Sequence, residues 1–254
     1  MFNKKNPASE SESGLISALQ RPLERRLFLK YAGATAAISG LILTGCGDDD
    51  DVTTPPTSGE VVDPANNPND ASAVNLGSGD VGILNYAYAL EQLEAAFYSQ
   101  VVASFYSGIS NAEQQILTDI RNHEVAHRNF FKEAITAAGA TPIPDLKVNF
   151  TSVDFTNRDS VLATAKAFED LGVAAYNGAG RLLTTKAYLL IAGKIVSVEA
   201  RHAAVIRDLI SNGSFADSTA VDSNGLDKAM MPLDVLTAAD KYITTNINAN
   251  NLPK

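Results

Sequence analysis

Three histidines serve the whole 254-residue chain, and two of them stand three residues after a glutamate. These are Glu124 and His127 in "NHEVAHRN", and Glu199 and His202 in "VSVEARHAAV". Residues three apart on a helix project from one face, a turn apart, so each pair can offer a carboxylate and an imidazole to the same point. Two single glutamates precede them, Glu91 before the first pair and Glu169 before the second. The order Glu, Glu-x-x-His therefore runs once through each half. Four carboxylates and two imidazoles suit two divalent ions of iron or manganese type, with two carboxylates able to bridge them. Four negative charges balance two dications, which lets acids that are costly to bury alone stay ionised.

The segments that must position these groups repeat as well. "ALEQLEAAFY" aligns with "AFEDLGVAAY", pairing Glu91 with Glu169, Leu93 with Leu171, Ala96 with Ala174 and Tyr98 with Tyr176. "IRNHEVAHRNFFKEAI" aligns with "IVSVEARHAAVIRDLI", pairing Glu124 with Glu199, His127 with His202 and Ile135 with Ile210. Each segment is apolar at helical spacing. The first run stops at Gly108; the second opens on a capping box of Ser110 and Glu113 and ends at Gly139. Pro142 and Pro144 then forbid a helix, so an extended crossover leads to the second pair of helices. A polar loop through Gly225 precedes a short last helix near "LDVLTAADKYI". Helix, short turn, helix, long crossover, helix, short turn, helix predicts an all-α fold: a four-helix bundle with one long connection.

The first 45 residues read as an address. Arg25 and Arg26 precede Phe28, Leu29 and Lys30, which resembles a twin-arginine export signal, and Tyr31 to Leu43 is an apolar run too short for a confident spanning helix. "LTGC" then reads as a lipobox, leaving Cys46 as a lipid-bearing N-terminus. Residues 46–79 are acidic and rich in Pro and Asn, the composition of a disordered tether that holds a domain off a membrane. The bundle is expected over 80–213 and a C-terminal extension over 214–254. Beyond residue 45 the chain holds 14 basic against 26 acidic residues, so nothing suggests a nucleic-acid surface. Its one cysteine excludes an internal disulfide and a Cys-held Fe–S or rubredoxin-type centre.

These motifs resemble the ferritin-like superfamily, and within it the extracytoplasmic branch related to desiccation-related proteins. "LNYAYALEQLEAAFY" and "FEDLGVAAYNGA…VEARHAA" carry the resemblance. It implies a ferritin-like bundle whose metal ligands are Glu91, Glu124, His127, Glu169, Glu199 and His202, holding two iron ions or alternatively manganese. Tyr98 and Tyr176 resemble family tyrosines that hydrogen-bond ligand carboxylates. Glu94, one turn from Glu91, is a candidate extra ligand whose repeat partner is Gly172, and His123, facing partly the same way as His127 but matched to Val198, reads as a neighbour of the ligands or as packing. The resemblance implies reaction with O2 or H2O2 in a ferroxidase- or peroxidase-like oxidoreductase. Haem is not expected, since the only methionines are Met1, Met230 and Met231. The expected location is the bacterial cell envelope, facing the periplasm or cell surface, with a homodimer compatible with the reading. The competing expectation is a non-enzymatic metal-binding or structural protein of envelope stress or desiccation protection.

Overall fold

The computed structural model describes residues 72–254. The expected signal segment and most of the expected tether, Cys46 included, lie outside the described residues. Four long helices form two antiparallel pairs: α1 (Gly79–Ala103) with α2 (Asn111–Ala137), and α3 (Arg158–Gly180) with α4 (Lys186–Ile210). A short helix α5 (Pro232–Ala239) follows, then a single 3-10 turn, Asp240–Tyr242. This is the helical bundle that the periodicity predicts, with 157 as the last residue of the crossover.

The helix ends follow local chemistry. Ser110 accepts from the Glu113 amide at 3.2 Å, satisfying one of the donors that open α2. Asn157 does the same for α3 through Ser160 N at 3.1 Å. The N-terminus of α4 is capped from a distance. Asp80, in the first turn of α1, accepts from the amides of Thr184 and Thr185, both at 2.8 Å, so the two helix pairs are joined at that end. Gly139 closes α2 at φ 78°, a left-handed conformation that costs glycine little.

α1 is the central element. Every residue from Gly82 to Ala95 is buried, so α1 has no solvent face there, whereas α2 buries a single stripe through Leu117, Ile120, Glu124, Phe131 and Ile135. The crossover supplies one cover for α1. The Asn85 side chain donates to Leu76 O and accepts from Ile143 N, and Gln92 accepts from Leu146 N at 2.7 Å. Phe97 packs among Phe150, Phe155 and Phe168 at centroid separations of 5.1–5.8 Å, and Tyr242 closes on Phe168. Burying each such ring contributes about 1.5–3 kcal/mol.

The C-terminal residues share this core. Val235, Leu236, Ala239, Tyr242, Ile247 and Leu252 belong to the same buried cluster as the helices. Met230 N donates to Ala174 O of α3 at 2.9 Å. That approach requires Gly178, where a Cβ would fall on the Met230 carbonyl. Buried Arg207 clamps the preceding loop, bonding Asp170 at 2.6 and 2.8 Å and Asp217 at 3.2 Å. Two short parallel strands, β1 (Val74–Asn75) and β2 (Ile247–Asn248), pair Val74 with Ile247. Residues 74–76 were expected in the tether. Fully buried Leu76 and this pairing make them part of the fold instead, with hydrogen-bond partners, Asn246 and Asn248, 172 residues away that local composition does not reveal. Among the described residues, no helix is long and apolar enough to cross a membrane.

Candidate metal centre

Each of the four long helices brings one glutamate to the bundle axis: Glu91 from α1, Glu124 from α2, Glu169 from α3 and Glu199 from α4. All four are fully buried. His127 and His202 join them from α2 and α4, because three residues along a helix returns to nearly the same face. The six residues singled out by spacing therefore stand together. They form two overlapping groups whose ligand atoms lie within 4.8 Å of one another: Glu91, Glu124, His127 and Glu199, and Glu124, Glu169, Glu199 and His202.

The internal repeat becomes a near two-fold axis at this point. His127 Nδ1 lies 2.8 Å from Glu199 Oε1, 3.5 Å from Glu91 Oε2 and 3.6 Å from Glu124 Oε2. His202 Nδ1 lies 2.8 Å from Glu124 Oε1, 3.5 Å from Glu169 Oε2 and 3.6 Å from Glu199 Oε2. Glu124 and Glu199 thus each face one histidine with one oxygen and the other histidine with the second. Glu91 and Glu169 each serve one side only. That is the donor pattern of two positions joined by two bridging carboxylates.

The donors face each other without satisfying each other. Both oxygens of Glu124 and of Glu199, Oε2 of Glu91 and of Glu169, and Nδ1 of both histidines are buried with no aligned hydrogen bond. The 2.8 Å contacts are short enough for hydrogen bonds but lack the direction for them, since several oxygens converge on a single ring nitrogen. Eight unsatisfied polar atoms in one buried spot would be costly, and divalent cations among them would satisfy the whole set. The residues fit a pair of metal ions, whose site is built entirely from this chain.

The outer atoms are held in place. Tyr98 donates to Glu169 Oε1 at 2.6 Å, and Tyr176 donates to Glu91 Oε1. Each tyrosine lies seven residues past the glutamate of its own helix, about 10 Å along the axis and out of reach. It therefore holds the glutamate of the opposite helix pair, and the two bonds cross. His202 Nε2 meets His123 Nδ1 at 2.9 Å. For Nδ1 of His202 to present its lone pair to a metal, Nε2 must carry the proton and donate it to His123. Among the described residues His127 has no corresponding bond to another imidazole, because the repeat places Val198 where α2 carries His123. Sequence spacing offered His123 as a neighbour; its bond to the histidine of the other half becomes visible only in three dimensions.

Without metal the six groups must share protons. Burial drives the Glu91 carboxyl well above its usual range, with Glu199 and Glu124 adding to the effect against His127. Burial likewise raises Glu169 to about 8. Burial alone would lower both imidazoles, but the surrounding carboxylates outweigh it and bring His127 and His202 to about 12. Glu124 runs the other way: burial would raise it, and the two imidazoles beside it hold it at about 2. Groups with raised values keep protons that the unfolded chain releases, between pH 4.5 and about 8 for Glu169 and between 6.5 and about 12 for the histidines. The metal-free fold then binds more protons than the unfolded chain, so its stability falls as pH rises through those windows. The contribution of Glu124 has the opposite sense: it is present above pH 4.5 and lost as pH falls through about 2. Metal-free protein should therefore melt at lower temperature at pH 8 than at pH 5, and loading at neutral pH should expel protons. Calorimetry in buffers of different ionisation enthalpy measures the expulsion; proton-neutral binding would contradict the assigned states.

A family model described as a ferritin-like domain matches residues 79–212, which span all four long helices and all six donors. No curated protein matches the chain.

Proposed function

Because the chain belongs to the family of ferritin-like domains, we propose that it is an exported, lipid-anchored protein whose paired Glu-x-x-His residues hold two iron ions, or alternatively manganese, for reaction with O2 or H2O2. The observation that carries this reading is the placement of Glu124 and Glu199, each turned toward both histidines at once. Two reduced ions held side by side would supply two electrons to one oxidant molecule.

The remaining features serve that chemistry. Glu124 and Glu199 would each help hold both ions, and Glu91 and Glu169 would each supply one ion with negative charge. Tyr98 and Tyr176 keep those outer carboxylates aimed inward and keep one oxygen of each occupied. Burial of all four carboxylates excludes bulk water, which strengthens each electrostatic contact. The test is to load the protein anaerobically with Fe(II) and add H2O2. Oxidation faster than that of free Fe(II), consuming about one peroxide per two Fe(II), is the expected result. Oxidation no faster than in buffer, under either O2 or H2O2, would leave the centre without this reactivity.

Export and anchoring rest on Arg25, Arg26 and the run from Leu43 to Cys46. Export by a route that carries folded protein suits a domain that acquires its metal before leaving the cytoplasm. Cys46→Ser should move the protein from the membrane to the soluble fraction; unchanged detergent partitioning would contradict the anchor.

A further inference from the structure

We propose that Glu94 is a seventh metal ligand, serving the position built by Glu169 and His202 and making the two positions unequal. This inference rests on the two-metal reading above. Glu94 lies one turn from Glu91 on α1 and is 4 % exposed, yet no hydrogen bond to its carboxylate forms among the described residues. The charged groups acting most strongly on it are Glu124, Glu199, Glu169 and Glu91, in that order, all of them carboxylates. Burial beside four other carboxylates is costly for an acid, and a cation among them would offset that cost.

The repeat breaks at this residue, and the two halves break it in complementary ways. Where α1 carries Glu94, α3 carries Gly172. A Cβ on Gly172 would sit 3.1 Å from Glu94 Oε1 and 3.8 Å from Glu199 Oε2. The carboxylate of Glu94 thus fills the space that the missing side chain leaves, and one particular oxygen of Glu199 borders the same space. That oxygen faces His202, at 3.6 Å, whereas Glu199 Oε1 faces His127. Glu94 therefore shares a neighbour with the Glu199 oxygen on the His202 side and lies outside the two groups of converging ligand atoms, whereas Glu91 on the same helix belongs to the His127 group. The helix geometry suits this division. Three residues advance about 4.5 Å along the axis, close to the roughly 3.5–4 Å between ions in two-metal sites.

With Glu94 the Glu169–His202 position has one more anionic donor than its counterpart, so it should bind its ion more tightly. Co(II), whose absorption spectrum reports coordination, is the probe. Wild-type protein should take up two Co(II) ions in two distinguishable steps. Glu94→Gln should weaken the tighter step by about tenfold or more and change the spectrum of that ion alone. In a His127→Ala background, where the Glu169–His202 position remains, Glu94→Gln should produce the same loss. In a His202→Ala background it should change binding less than about twofold. Gly172→Ala, whose Cβ would press on Glu94 Oε1 from 3.1 Å, should reproduce the effect in weaker form. The melting temperature of metal-free Glu94→Gln should not fall, because the change removes a buried acid; a merely structural role would lower it. Equal Co(II) binding with and without Glu94, or equal loss in both histidine backgrounds, would overturn the assignment while leaving a two-ion centre intact. Wild-type protein that binds no Co(II) would instead overturn the two-metal reading itself.

Discussion

Glu124→Ala and Glu199→Ala should each empty both metal positions, whereas His127→Ala and His202→Ala should each empty mainly one. The distinction follows from the geometry alone. Glu124 presents Oε2 to His127 and Oε1 to His202, and Glu199 presents Oε1 to His127 and Oε2 to His202. Either carboxylate belongs to both groups of converging ligand atoms, while each histidine belongs to one. Removing a shared carboxylate takes a donor and a negative charge from two ions together, and affinity at both should fall by more than about a hundredfold. Glutamine controls for the cavity that alanine leaves: Glu124→Gln keeps the volume but offers one neutral oxygen, so it should also fail to bridge. Competition titration against a chromophoric chelator resolves the two affinities. A Glu124→Ala protein that kept one ion at undiminished affinity would show that the carboxylates do not bridge.

Metal removal should lower the melting temperature steeply. Four buried glutamates, the buried His202 and the partly buried His127 satisfy one another poorly, with eight polar atoms lacking aligned partners. Ions that bind the folded chain and not the unfolded one stabilise it by about 2.7 kcal/mol per site at a hundredfold excess over Kd. Two such sites give roughly 5 kcal/mol, and a domain of this size gains about 2–4 °C per kcal/mol, so loading should raise the midpoint by about 10–20 °C. Differential scanning calorimetry with excess Mn(II), against the same protein with a chelator, measures the shift. A midpoint indifferent to metal would mean that protons alone neutralise the cluster.

The site was more legible in the sequence than the fold around it, for a physical reason. Metal ligands are fixed by residue type and by position along one helix, and both can be read from a string of letters. Glu-x-x-His and its repeat therefore picked out six residues that the fold brings together, and the complementary Glu94 and Gly172 were visible as a mismatch within the same repeat. What joins distant segments was not legible. Tyr98 shares a helix with Glu91 but bonds Glu169, because seven residues of rise put its own glutamate beyond reach. The bond from His202 to His123, the clamp of Arg207 on Asp170, and the pairing of Val74 with Ile247 likewise need a partner that no periodicity names. The C-terminal residues read as an extension because their loop is polar. Their apolar residues nevertheless enter the common core, since α1 has no solvent face from Gly82 to Ala95 and must be covered there on the sides its partner helices leave open.

We propose that this chain holds two metal ions at one carboxylate-bridged centre. Native mass spectrometry of the folded protein after anaerobic reconstitution with Fe(II) or Mn(II) tests it most directly. The geometry predicts a wild-type mass heavier by two ions and a Glu124→Ala mass heavier by none. A wild-type protein that carries no ion after reconstitution would contradict it.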